Sequence, residues 1–198
     1  MKYVLVLLNT NPNRPEIDKD SMERVQVGHL ENMNRLYNEG KLVVSGPFGD
    51  KQAGGLFILK VPTLLEARDL LATDPAVRAL RYAPEVFMLS IGYGKICTAP
   101  DIFSLAKFPF VQLVAQRSLT EEHRAQHDQY YRELAGAQKI LFHGVLGNGD
   151  AIVIFNQSDD LTAASALVMA DPAVKQVEIR PHVRLWWNAP GVFCEPTE

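Results

Sequence analysis

A continuous apolar, β-branched run from Tyr3 to Leu8 opens the chain. A run without polar alternation predicts a buried strand. From about Ser21 to Asn38 the period changes. Met22, Val25, His29, Met33 and Leu36 recur at spacings of three and four, which puts them on one face of a helix. Gly40 follows, where glycine commonly closes a helix. Lys41–Gly46 and Gly55–Val61 read as two strands joined by a glycine-containing turn. Thr63, with Glu66 three residues on, marks the start of a second helix, and Pro75 is expected to stop it. Glu85–Tyr93 completes a βαββαβ series.

The same series is then written again. Gly46 lies seventeen residues after His29, and Gly144 seventeen after His127. From the hairpin onward the offset shortens by one, so that Asp74 falls on Asp171, Leu64 on Leu161, Ala67 on Ala164, Gly94 on Gly191 and Cys97 on Cys194. The tetrapeptide Asp-Pro-Ala-Val occurs at both aspartates. Strands are expected near 108–116, 139–145, 151–157 and 182–188, and helices near 120–134 and 160–170. This pattern predicts a tandem duplication: a first repeat over 1–97, a linker over 98–107 around Pro100, and a second, more divergent repeat over 108–198. Single helices between strands, with one hairpin per repeat, indicate an α+β class. A four-stranded sheet with both helices on one face leaves an apolar face bare, and two repeats can cover each other's.

Composition narrows the function. The net charge is −3 with no Lys/Arg run, which argues against a nucleic-acid partner, because a phosphate-binding face needs clustered cations. No 18-residue apolar stretch is present, so no membrane helix is expected. The N-terminus reads as a strand and not as a signal peptide, which makes the cytoplasm the expected location. Two cysteines are too few for a disulfide framework. Cys97 and Cys194 could approach each other near a two-fold axis, but a reducing compartment predicts that they stay unpaired.

The spacing H-L-x5-L-x3-G-x-L-x3-G-P from His29 to Pro47, followed by a hairpin, a helix and Asp-Pro-Ala-Val, resembles the YCII-related (YciI-like) family. The second copy departs from it, with Val145 in place of the proline and Gln138 in place of the helix-closing glycine. The resemblance implies ferredoxin-like repeats forming a dimeric α+β barrel, here within one chain as a monomeric pseudo-dimer. It implies a characteristic His and Asp, matching His29 with Asp74 and His127 with Asp171. It also implies cofactor-free chemistry on a small molecule, of the kind that eliminates HCl from a chlorinated hydroxyquinone.

The residues themselves support such a pair. His29 lies on the apolar stripe of the first helix, and Asp74 follows the second helix. A carboxylate beside an imidazole orients it, and an oriented histidine can move a proton next to a carbonyl. That suits a lyase or isomerase acting on a small enolisable or aromatic-derived molecule. A non-catalytic, ligand-binding or structural pseudo-dimer is the alternative, in which the histidines are core residues and the aspartates are turn caps.

Secondary candidates are Arg14, in the polar segment Asn9–Asp20 that could close over an anionic substrate, and Trp186, one of two alternating tryptophans, which could line a pocket. His123 and His127, four apart beside Asp128, have a spacing that could hold a divalent metal, but no strong metal motif accompanies them and none is expected. Gly147–Asp150 reads as a hairpin turn and not as a phosphate loop, and no G-x-S-x-G is present. Further association of chains through edge strands stays open.

Overall fold

The computed structural model describes residues 2–50, 54–97 and 104–194. It divides into two compact units, Met1–Leu89 and Ser90–Glu198. The first contains β1 (Tyr3–Thr10), α1 (Lys19–Asn38), β2 (Leu42–Pro47), β3 (Gly55–Leu59), α2 (Leu64–Leu71), α3 (Pro75–Arg78) and most of β4 (Tyr82–Tyr93). The second contains β5 (Lys95–Ile96), β6 (Ala106–Ala115), α4 (Glu121–Gly136), β7 (Ile140–Leu146), β8 (Ala151–Phe155), α5 (Thr162–Ala170), α6 (Pro172–Lys175), β9 (Ile179–Asn188) and β10 (Phe193–Cys194).

In the first unit the strands run in the order β2-β3-β1-β4, with β1 antiparallel to both neighbours. This is the ferredoxin-like arrangement, α+β as expected. Val4, Val6 and Leu8 on one face of β1 pack with Leu36, Phe57, Leu59, Ala67 and Leu71 under the helices. Leu5 and Leu7, on the opposite face, are buried as well, which explains the run without alternation. Each such side chain contributes roughly 1.5–3 kcal/mol by leaving water.

The second unit has the order β7-β8-β6-β9. Val111, Leu113, Val153 and Phe155 of its sheet pack against Tyr131, Leu134, Ala164 and Val168 of its helices. The two orders of elements are the same.

Helix ends follow local chemistry. Asp18 caps α1, its Oδ2 accepting from the Ser21 hydroxyl at 2.7 Å and its Oδ1 from Ser21 N at 2.8 Å, and these bonds, the hydroxyl's first, hold its carboxyl below the usual carboxylate range. Gly40 takes φ +66° and donates to Tyr37 O, while Lys41 N donates to Leu36 O, a Schellman closure. The second unit repeats it without the glycine: Gln138 stands at φ +52°, donating to Ala135 O, with Lys139 N on Leu134 O.

Three expectations change. Pro75 does not end the second helix, which stops at Leu71. It opens the short helix α3, where its missing N–H costs nothing, and Pro172 does the same in α6. The division between units falls within β4 and not at Cys97, because the chain after Ser90 packs into the second unit, with β5 paired to β10. That pairing also corrects the reading of the cysteines. It brings the Cα atoms of Cys97 and Cys194 to 6.2 Å, and the two are joined in a disulfide. Most of the expected linker, 98–103, lies outside the described residues.

Candidate functional site

In the first unit α1 crosses α3 at Gly28. A Cβ there would lie 2.9 Å from Pro75 Cγ, so the absent side chain permits the close approach. The approach sets His29, the next residue of α1, against Asp74, the residue before Pro75. His29 Nδ1 lies 2.7 Å from Asp74 Oδ2. Asp74 is fully buried and His29 is 7% exposed.

Asp74 has a second task as the cap of α3, its Oδ1 accepting from Ala76 N at 2.8 Å. With the carboxylate ionised, Oδ2 can only accept. His29 Nδ1 therefore carries the hydrogen, and in the neutral imidazole the lone pair is left on Nε2. Among the described residues nothing hydrogen-bonds Nε2, and it is not sealed from solvent.

The imidazole is flanked by Phe57, stacked at 6.0 Å between centroids with 13° between planes. Tyr82, tilted by 49° at 5.8 Å, lies beside it. Burial first, and then the Asp74 charge, hold the Tyr82 phenol above its ordinary pKa. Neither aromatic was singled out from the sequence. Both belong to strands whose facing direction only the pairing register fixes: Phe57 opposite Val6 and Tyr82 opposite Thr10. One turn along α1, buried Asn32 accepts from Arg35 Nη2 at 2.8 Å and from Thr73 Oγ1 at 2.9 Å, which ties α1 to the residue before Asp74.

The second unit repeats the pair. His127 Nδ1 lies 2.8 Å from Asp171 Oδ2, and Asp171 Oδ1 accepts from Ala173 N at 2.9 Å. The surroundings differ. Tyr131 meets His127 edge-on at 5.0 Å and stacks on His143 at 5.2 Å with 4° between planes. The Tyr131 hydroxyl and His143 Nε2 are both sealed from solvent, and neither makes a hydrogen bond of ordinary geometry among the described residues, although the hydroxyl lies near Asp171. Burial and the charge on Asp171 push the Tyr131 phenol far above its usual range. Burial, helped by His127, lowers His143 to about 4. Gly92 leaves room for His143, since a Cβ there would lie 2.8 Å from Nδ1.

The remaining candidates are placed apart from the pairs. Arg14 is exposed in the loop between β1 and α1, its backbone N–H donating to Asn11 O. No hydrogen bond or ion pair joins it to His29. The loop is held by Arg81, whose Nη1 donates to Pro15 O at 2.6 Å. It is shorter than expected, because Asn9 and Thr10 belong to β1 and Lys19 and Asp20 to α1. Trp186 is fully buried against Phe110 and Phe193. His123 bonds buried Glu178 at 3.0 Å, which also pairs with Arg117, so the two histidines of α4 serve different carboxylates. No metal-ligand cluster occurs among the described residues. Open grooves of about 430 and 460 Å³ run along equivalent stretches of α1 and α4. Neither is lined by a residue of the pairs.

These pairs, each a histidine and the aspartate of an Asp-Pro-Ala-Val turn, can be set against known proteins. Residues 1–85 match the YCII-related domain. The match covers the first unit as far as the start of β4, including His29 and Asp74. No curated protein matches the chain.

Among solved structures the chain is similar to a "putative monooxygenase" from Lactobacillus acidophilus NCFM, with TM-score 0.54 and 9% identity over 100% of both chains. It is similar to a heme-binding protein from Thermus thermophilus, with TM-score 0.55 and 15% identity over 95% of this chain and 90% of that one. It is also similar to a "Putative Chlorite dismutase", with TM-score 0.55 and 9% identity over 96% and 94% of the two chains. At these identities the likeness establishes the fold. No helix is long and apolar enough to cross a membrane among the described residues.

Proposed function

We propose that the first unit is a small, cofactor-independent acid/base site of lyase or isomerase type, acting on an enolisable or aromatic-derived molecule. The observation that carries this is the buried 2.7 Å contact of His29 Nδ1 with Asp74 Oδ2, with Nε2 left unengaged. Asp74 fixes the ring and its tautomer, and Nε2 takes a proton from carbon and returns it elsewhere. Such a group contributes typically about 10²–10⁴ in rate. The match of residues 1–85 to the YCII-related domain supports the same assignment. The test is deuterium incorporation from D2O into acetylacetone, followed by NMR: wild type accelerates it and His29→Gln does not.

A second reading is favoured by the other unit. His127 and Asp171 keep the same bond beside a sealed aromatic stack, and each aspartate also caps a helix. The pair would then be a staple between helices, in a non-catalytic module. Asp74→Asn would under that reading lower stability without altering any exchange. The equal order of elements in the two units and the doubled Asp-Pro-Ala-Val support, as part of the same proposal, a tandem duplication with the intramolecular barrel expected from the sequence.

A further inference from the structure

We propose that Tyr82 is a second catalytic group of this site, donating its phenol O–H to the substrate oxygen on which charge develops while His29 Nε2 takes the proton. This rests on the acid/base role proposed for His29.

Four observations carry it. The two rings lie 5.8 Å apart at a 49° tilt, so they are direct neighbours. Neither Tyr82 Oη nor His29 Nε2 has a hydrogen-bond partner among the described residues, and neither is sealed. A tyrosine hydroxyl without a partner among the described residues, beside a histidine nitrogen without one, is a donor and an acceptor that one ligand can engage. Tyr82 is also anchored to the pair: Arg81 N donates to Ala76 O in the turn that Asp74 caps, and Tyr82 opens β4 opposite Thr10, where the loop leaves β1. Finally, Phe57 covers another side of the imidazole, which leaves an apolar wall suited to a flat or small carbon skeleton.

The phenol stays protonated at neutral pH, since burial and Asp74 raise its pKa, so it can donate. The substrate class follows: a small molecule with an acidic C–H next to a carbonyl, or a hydroxylated ring in its keto form. The C–H bond breaks and its proton passes to Nε2. The electron pair forms the C=C bond, and the carbonyl π pair moves to oxygen, where Tyr82 stabilises it. Collapse of the enolate then takes the proton back at another carbon, or expels a leaving group from the β carbon with its bonding pair. No oxidant is consumed.

The second unit lacks this donor. Ile179 pairs with Ala115 at the start of β9 as Tyr82 pairs with Thr10, and the hydroxyl of Tyr131 is sealed. Only the first unit then has both groups.

Tyr82→Phe removes one oxygen that bonds nothing among the described residues, so the fold is retained. The full-length protein is tested with two probes: 4-nitrophenolate, an oxyanion without an acidic C–H, read by absorbance, and acetylacetone, read by deuterium exchange. Tyr82→Phe is expected to weaken 4-nitrophenolate at least tenfold and to slow exchange by about 10². His29→Gln is expected to abolish exchange. If Tyr82→Phe changes neither probe by more than threefold, or wild type binds no 4-nitrophenolate, the role of Tyr82 is overturned. If His29→Gln leaves exchange intact while Tyr82→Phe still weakens 4-nitrophenolate, the acid/base reading fails and the donor stands.

Discussion

The two histidine–aspartate pairs have almost the same internal geometry, 2.7 and 2.8 Å, and the same capped turn beneath them, yet they stand in different company. Around His29 the neighbours are Phe57, Tyr82 and the half-buried Met33. Around His127 the corresponding strand positions hold Val153 and Ile179, and Met33 is answered by Tyr131 one turn along α4. Two aromatic rings are lost from the sheet side and one is gained from the helix side. Ser45 becomes His143, which stacks on the new tyrosine. The second interior is thus refilled from another direction, with its polar tips sealed where those of the first stay reachable. Retention of the bond where the surroundings have closed is what the staple reading expects of both units, and the proposed chemistry at His29 then rests on what surrounds the pair.

The largest effect expected is from removing the aspartates. Asp74→Ala leaves His29 Nδ1–H and Ala76 N–H without acceptors in a buried place, a loss of about 3 kcal/mol. Asp171→Ala should cost the same, and urea denaturation with two probes checks it. A much smaller loss in one unit would break the shared structural role.

Next is a pH dependence that His143 gives the second unit. His143 protonates near pH 6.5 in the unfolded chain but only at about 4 when folded. Its folded pKa is depressed, so stability is full above the unfolded value and is lost as pH falls from about 6.5 to about 4. The loss is roughly 3 kcal/mol. His143→Phe should flatten that part of the stability–pH curve, while a substitution of Ser45 should leave it unchanged.

A smaller contrast concerns the helix crossing. Gly28→Leu must push Pro75 away, with a net cost of about 1 kcal/mol after the gain in helix propensity. The counterpart, exposed Gln126, should tolerate leucine within about 0.5 kcal/mol. The smallest effect is at Val177, a β-branched residue at φ +58° that is 75% exposed. Val177→Gly should raise stability by about 1 kcal/mol, visible as a higher melting temperature.

The strands and long helices were legible because they rest on period: the two-sided burial of β1 and the stripe of α1 each leave a mark on the chain. His29 and Asp74 were legible as partners through the family resemblance, together with their repetition in the second half. Phe57 and Tyr82 were not, because strand register, and not local pattern, turns them toward the histidine. Pro75 was misread since a proline that ends one helix and one that starts another look alike when only a few residues separate the helices. The pairing of Cys97 with Cys194 depends on two-residue strands, β5 and β10, too short to show a period.

Side-by-side exchange assays on His29→Gln and His127→Gln test the division between the units most directly. The account predicts that deuterium incorporation into acetylacetone is lost in His29→Gln and is unchanged, within threefold, in His127→Gln. Equal loss in both variants, or loss only in His127→Gln, would contradict it.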